Sequence, residues 1–205
     1  MRAPQHGFNL IELMISIVVL GVLIALGAPG FSEWLQNQQI RAAAEATLNG
    51  LQVARSEAVA RNANVSFQFV SDLTASCATA PLGSGGFLTS ISWVVSAGNP
   101  AGACDKKIGD TPPGPVIQSR SGAEGTPNAV VTTVPAGTTT VTYTPLGATT
   151  SNLDGSLPMK SMTLSNVILS AGTSRPLQIV INPGGSTRMC DPLAVASDTR
   201  ACPAP

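Results

Sequence analysis

The sequence predicts an α+β protein in which one long amino-terminal helix packs on an antiparallel β-sheet domain. Two observations indicate this class. Apolar residues recur with helical spacing as far as about residue 62, whereas the chain beyond residue 64 is rich in Thr, Ser, Val, Gly and Pro in short alternating runs. A long helix followed by a series of short strands is typical of α+β folds, in which a sheet covers the apolar stripe of the helix.

The first helical segment, residues 8–28 (FNLIELMISIVVLGVLIALGA), is long and apolar enough to predict a transmembrane helix. Its single charge, Glu12, is a candidate functional residue, because an acidic residue at mid-membrane depth costs roughly 2.5 to 3.5 kcal/mol. A secretory signal peptide is the alternative, and Ala25 and Gly27 fit its cleavage rule. Two details oppose it: Glu12 interrupts the front of the apolar region, and Pro29 closely follows the cut.

The start of the chain resembles the class III signal of type IV pilins and type II secretion pseudopilins. A short basic leader, residues 1–7, ends in Gly7, which Phe8 follows, and Glu12 is the fifth residue after that glycine. The resemblance implies that a prepilin peptidase cuts after Gly7 and methylates the amino terminus of Phe8. It also implies that Glu12 pairs with the terminal amine of a neighbouring pilin or pseudopilin, since an unpaired buried charge is costly.

Charge supports a protein tethered to the inner membrane. Arg2 precedes the apolar span and the first charge after it is Glu33, which favours a cytoplasmic amino terminus and a periplasmic carboxy-terminal domain. Eleven Lys and Arg balance eleven Asp and Glu. The chain as a whole therefore lacks the basic field that nucleic-acid binding requires.

Gly21 and Pro29 mark a candidate break between the two halves of the helix. Proline removes a backbone donor and crowds the preceding turn, so a simple kink at the membrane surface is one interpretation. The other follows from the resemblance, because the corresponding stretch of pilin-like proteins melts when subunits pack into a filament.

Residues 29–64 are predicted to form the amphipathic second half of the helix, with Ser32 as a cap and an end at Asn62 or Asn64. Glu57 and Arg61 are spaced to form an ion pair. Gly50 interrupts the helix, and we expect close packing against a sheet to explain it. The predicted apolar stripe consists of Leu35, Ile40, Ala44, Leu48, Leu51, Ala54 and Ala58.

Residues 65–205 are predicted to form a periplasmic β-rich domain. Val130 to Pro135 and Thr138 to Thr144, joined by Ala136-Gly137, are predicted to pair as a hairpin. The candidate strands are 65–70, 87–96, 115–119, 129–134, 139–144, 161–169, 177–182 and 186–190.

Four cysteines follow the predicted membrane span, and an even number in an oxidising compartment predicts two disulfides. Three pairings are possible. The pairing of Cys77 with Cys104 and of Cys190 with Cys202 is favoured because each closes a local loop. A zinc site is disfavoured, since there is no CxxC motif and the only histidine, His6, lies in the leader.

Four segments resemble the H-type pseudopilins of type II secretion and the FimT and FimU minor pilins. They are LQVARSEAVARNANVSFQF (51–69), ISWVV (91–95), YTPLG (143–147) and INPGGSTRMC (181–190). The resemblance implies a structural subunit with no cofactor. The alternative is a FimT-like DNA receptor, in which a GRxR run of the terminal hairpin carries two arginines. Here the run reads Gly185, Ser186, Thr187, Arg188, so Arg188 is the possible DNA contact and the first arginine is missing.

Catalysis is not expected. No histidine follows the leader, so neither a Ser/His/Asp nor a Cys/His arrangement is available to the mature chain. The GSGG run at 83–86 lacks the lysine and the strand–helix context of a phosphate-binding loop.

Overall fold

A computed structural model describes residues 9–203, and the side chains of residues 27–29 are not among the described ones. Helix α1 spans Leu10–Arg61 and is 52 residues long. The chain divides into two compact units, Met1–Leu35 and Gln36–Pro205. Within the second unit, the last part of α1 packs on antiparallel β-sheets. The predicted α+β class is therefore confirmed.

Within residues 9–203, nine strands form two sheets in which the strands pair antiparallel. The first sheet has the order β3-β2-β1-β5-β6 and the second the order β4-β7-β8-β9. Their bounds are Val65–Val70 (β1), Ser92–Ser96 (β2), Val116–Arg120 (β3), Ala129–Val134 (β4), Thr140–Tyr143 (β5), Thr149–Thr150 (β6), Ser161–Asn166 (β7), Leu177–Ile181 (β8) and Thr187–Cys190 (β9).

One core joins the helix to both sheets. Phe67 and Tyr143 of the first sheet and Leu164 of the second belong to the same buried cluster as the helix stripe. The stripe residues that are fully buried are Ile40, Ala44, Leu51, Ala54 and Ala58. Leu48 is partly buried, and Leu35, predicted to belong to the stripe, is 46% exposed. The prediction for Leu35 was wrong because the buried stripe begins only at Ile40.

Gly50 lies where α1 meets two aromatic rings. A Cβ at this position would lie 2.8 Å from Cε2 of Phe67 and 3.0 Å from Cη2 of Trp93. Both rings are buried, so they have little freedom to withdraw. The close packing expected from the sequence is confirmed.

The end of α1 follows the sequence prediction and its start does not. Asn62 adopts a left-handed conformation with φ of 50°, and its N–H donates to Val59 O while that of Ala63 donates to Ala58 O. These two bonds form a Schellman motif. Arg61 Nε lies 2.6 Å from Glu57 Oε2, which confirms the predicted ion pair. Ser32 is not a cap, because α1 is continuous through it.

The predicted hairpin between β4 and β5 is wrong. β4 pairs with β7 and β5 pairs with β1, so the two strands belong to different sheets. The turn after β4, closed by the Thr138 N–H donating to Pro135 O at 3.2 Å, passes the chain from one sheet to the other. This route lets both sheets bury their apolar faces in one core.

Several strand predictions need correction and the cysteine prediction does not. β2 begins at Ser92 rather than residue 87, and β7 ends at Asn166 rather than residue 169. β6 was missed because its two residues are too short to show alternation. Disulfides join Cys77 to Cys104 and Cys190 to Cys202, which is the favoured pairing. The first disulfide connects the two long loops on either side of β2.

Candidate functional site

The first candidate site is the exposed apolar part of α1, Leu10–Leu26. Its large hydrophobic side chains are each between 53% and 76% exposed within the structure of the single chain. A helix that is apolar on all sides requires an apolar environment, which a membrane or a bundle of other helices supplies. No single helix of the described residues is both long and apolar enough to cross a bilayer, whereas Leu10–Leu26 and Gly30–Arg61 together satisfy length and composition.

Glu12 lies in the first turn of α1 and is exposed. The amides of a first turn favour a carboxylate, because they carry the positive end of the helix dipole. The nearby Ser16 hydroxyl donates to the backbone oxygen of Glu12 at 2.7 Å. Gly7 and Phe8, the predicted processing residues, lie outside the described residues, so their roles stay predictions.

Gly21 and Pro29 do not end the helix. α1 continues beyond both positions. A Cβ on Gly21 would have no side chain or distant backbone within 4 Å, and the side chain of Pro29 is outside the described set. A loosening of the helix between them during assembly stays a prediction.

The second candidate site is the terminal hairpin of β8 and β9. Its turn is closed by the Asn182 N–H donating to Ser186 O at 2.9 Å. Arg188, the predicted DNA contact, donates from Nη2 to the carbonyl oxygens of Thr199 at 2.9 Å and Ala201 at 3.4 Å. Its guanidinium therefore holds the carboxy-terminal tail against β9.

Two further contacts fix the same tail. The disulfide between Cys190 and Cys202 closes a loop of sequence separation 12, and the Asp191 N–H donates to Arg200 O at 2.8 Å. Arg200 is itself paired with Asp198, and its hydrogen bonds to that carboxylate lower the pKa of Asp198 to about 2. These groups act within the chain, and none forms an acid–base pair suited to catalysis.

Arg55 was missed by the sequence analysis, and it joins two of the segments that carry the family resemblance. Its Nε donates to Gly147 O at 3.0 Å, and its Nη2 lies 3.5 Å from Gly184 O. Gly147 and Gly185 both have positive φ, and a Cβ on Gly185 would overlap the Gly147 carbonyl oxygen. The YTPLG and INPGG turns therefore pack on each other and on α1. The glycines in these two turns were the only sequence signal for this contact. They do not identify Arg55, which is 92 residues before Gly147 in the chain.

The part of the chain that the structure describes contains no candidate metal site. Within residues 9–203 there is no group of three or more His, Cys, Asp or Glu side chains arranged to hold an ion. The four cysteines are oxidised in pairs, so they supply no thiolate ligands.

An exposed apolar helix that continues into a helix-on-sheet domain defines the class of pilin-like filament subunits. The family model described as type II transport protein GspH matches residues 43–185, and that of the prokaryotic N-terminal methylation motif matches residues 2–28. The chain belongs to the GspH family. Its members are structural pilin or pseudopilin subunits rather than enzymes, they assemble with other pilins, and the methylation motif marks them for prepilin processing and inner-membrane anchoring.

Two solved structures are similar to the chain, both of the type IV minor pilin FimU of Pseudomonas aeruginosa (strain PAO1). One crystal form is 17% identical, with a TM-score of 0.42, and the match covers 73% of this chain and 90% of that one. The other is 16% identical, with a TM-score of 0.45, and covers 76% and 91%. No curated protein matches the chain.

Proposed function

We propose that the chain is a minor subunit of a type IV pilus or of a type II secretion pseudopilus. The observation that carries the proposal is the exposed apolar segment Leu10–Leu26, whose single charge is Glu12. Before assembly, residues 8–28 would lie in the inner membrane with the domain from residue 65 in the periplasm. In the filament, the same surface would pack against the helices of other pilins.

Processing by the prepilin peptidase would give Glu12 its partner. A cut after Gly7 and methylation leave a positively charged amine on Phe8. In an apolar filament core, burying this amine or the Glu12 carboxylate without a partner of opposite charge would cost free energy, because each charge would lose its water. Pairing the amine of one subunit with the carboxylate of the next satisfies both charges and sets the register between subunits.

Glu12 substitutions test the proposal. Glu12→Gln and Glu12→Val should insert into the membrane as well as the unchanged protein or better, because the charge opposes burial. Their recovery in filaments sheared from cells, or in pseudopili, should fall. Immunoblots of the membrane and filament fractions measure both quantities.

Met14→Leu is the matched control, because it is a volume-conserving change two residues further along the same apolar segment. It should leave the amount in both fractions unchanged. Normal incorporation of Glu12→Val would contradict the proposed pairing.

DNA capture is not proposed as a second function. Arg188, the only arginine in the run that resembles GRxR, donates its hydrogen bonds to the chain's own tail.

Co-purification with the pilins of one machine or the other distinguishes the type IV pilus from the secretion pseudopilus.

A further inference from the structure

The outer face of the first sheet is polar, yet it is buried. Phe67 of β1 faces the core, whereas its neighbours Ser66 and Gln68 face the other side. Ser66 pairs with Thr142 and Gln68 with Thr140 across the ladder between β1 and β5. These four polar residues are between 1% and 6% exposed, although the polar face of an antiparallel sheet normally meets water.

Two loops cover this polar face. The loop around Pro100 is held by the disulfide between Cys77 and Cys104 and by the Gly102 N–H donating to Cys77 O at 2.9 Å. The loop after β6 is held by Asn152, which accepts a hydrogen bond from the Thr142 hydroxyl at 2.9 Å and donates to Thr140 O at 3.2 Å.

Between the loops and the sheet lies a cavity of about 300 Å³ that opens to solvent. The polar residues that line it include Ser66, Gln68, Asn99, Thr140, Thr142 and Asp154. Its volume is at the lower end of the range for small-molecule sites, roughly 300 to 1,000 Å³.

Gln68 is the group in this cavity that is most available to a ligand. The residue is 6% exposed, and no hydrogen bond joins its side-chain amide to another described residue. Its amide atoms are not among the buried polar atoms that lack a partner, so they face the solvent in the cavity, where a ligand would replace water. The amide offers two donors and one acceptor to whatever enters the cavity.

We propose that this cavity binds a neutral saccharide. Hydroxyls and amides that both donate and accept match the hydroxyl groups of a sugar, and the volume suits one or two sugar rings. Lys and Arg are absent from the residues lining the cavity, while hydrogen bonds from Ser156 lower the pKa of Asp154 and keep a carboxylate at its mouth. An anionic ligand would therefore be repelled.

A peptide strand fits this site less well than a sugar. Strand addition requires a free sheet edge, whereas β1, which carries Ser66 and Gln68, lies in the middle of its sheet between β2 and β5. The proposal concerns the domain alone and does not rest on filament assembly. Its failure would leave the proposed filament function intact.

The test is a saturation-transfer NMR titration of the full-length protein in lauryldimethylamine oxide micelles, a detergent without a sugar headgroup. The probes are glucose, N-acetylglucosamine and cellobiose, with trialanine as the peptide comparison. At least one sugar should bind saturably with a Kd of about 1 mM, a weak affinity because no aromatic ring lines the cavity. Trialanine should not bind.

Gln68→Leu should weaken sugar binding by at least about tenfold. It should not lower the thermal unfolding midpoint, because it removes an amide that has no partner in the protein. Ala101→Trp, which fills the cavity from its exposed loop, should also block binding and reports on the site even if Gln68→Leu fails to fold. Gln178→Leu, the same change on β8 of the other sheet, is the matched control and should bind normally.

Three results would overturn the proposal. They are the absence of saturable binding by all three sugars, equal binding by Gln68→Leu and Gln178→Leu, and binding of trialanine in preference to the sugars.

Discussion

Tyr143 is a single buried residue that makes the stability of this fold depend on pH. It is fully buried, and its hydroxyl has no hydrogen-bond partner among the described residues. Burial raises the pKa of Tyr143 above the ordinary tyrosine value, and the charge of Arg55 opposes this effect. In the unfolded chain the phenol titrates near pH 10. Above that pH the unfolded state loses a proton that the folded state keeps, so stability is present in full below about pH 10 and falls as pH rises.

We therefore predict that Tyr143→Phe is at least as stable as the unchanged protein at pH 7, because the removed hydroxyl is unpaired. Above pH 10 the variant should lose less stability. Thermal unfolding at both pH values measures this, and Tyr143 is the only tyrosine in the chain, so an ultraviolet titration of the native protein reports on it alone. A loss of more than about 1 kcal/mol at pH 7 would show that the hydroxyl has a partner.

At the same scale, the roles of residues that depend only on nearby positions in the chain could be predicted from the sequence. The turn at Asn62, the pair of Glu57 with Arg61 and the packing at Gly50 follow from helix geometry and from the absence of a side chain. Arg55 could not be predicted, because its acceptors lie in two distant turns. Gln68 was missed since alternation places it on a strand face but does not reveal that loops cover that face.

At the scale of elements, the strands were predictable and their partners were not. β1, β4 and β8 were placed within a residue or so of their observed bounds. Alternation identifies a strand from its own residues, whereas pairing depends on where the chain travels after a turn. The turn between β4 and β5 has the composition of a hairpin turn, but the common core separates the two strands into different sheets.

The tail is held by a disulfide in addition to the hydrogen bonds of Arg188 and Asp191. For the disulfide, the chain-entropy model allows about 3 kcal/mol at this loop length. We predict that trypsin digestion without reduction yields peptide 189–200 linked to 201–205 through Cys190 and Cys202. Cys77 and Cys104 both fall within peptide 62–106, so their disulfide should appear inside one peptide. A reduced digest is the control, and any link between 62–106 and the tail peptides would contradict the pairing.

At the scale of the whole molecule, charge argues against a DNA receptor. From residue 31 onward there are ten basic and ten acidic side chains, and Arg188 is occupied by the tail. We predict binding to double-stranded DNA at the nonspecific level of roughly 10⁻⁴ M or weaker at physiological salt. A titration of the full-length protein against a short duplex at two salt concentrations measures the affinity and its salt slope, about 0.9 per neutralised phosphate.

Two variants give this experiment its controls. If Ser186→Arg, which restores the missing arginine, gains binding, the hairpin is a DNA-binding scaffold that this chain does not use. Low-micromolar binding by the unchanged protein, abolished in Arg188→Ala, would contradict the prediction and make DNA capture the leading function.

The central claim is that residues 1–7 are a leader whose removal creates an assembly-competent amino terminus. Intact-mass spectrometry of the protein extracted from membranes tests it most directly, with Gly7→Val as the control, because a β-branched side chain should not fit the peptidase site. The predicted mass lacks residues 1–7 and carries one added methyl group on Phe8, while Gly7→Val keeps its leader. A mature amino terminus near Ala28, as left by a secretory signal peptidase, would contradict the account.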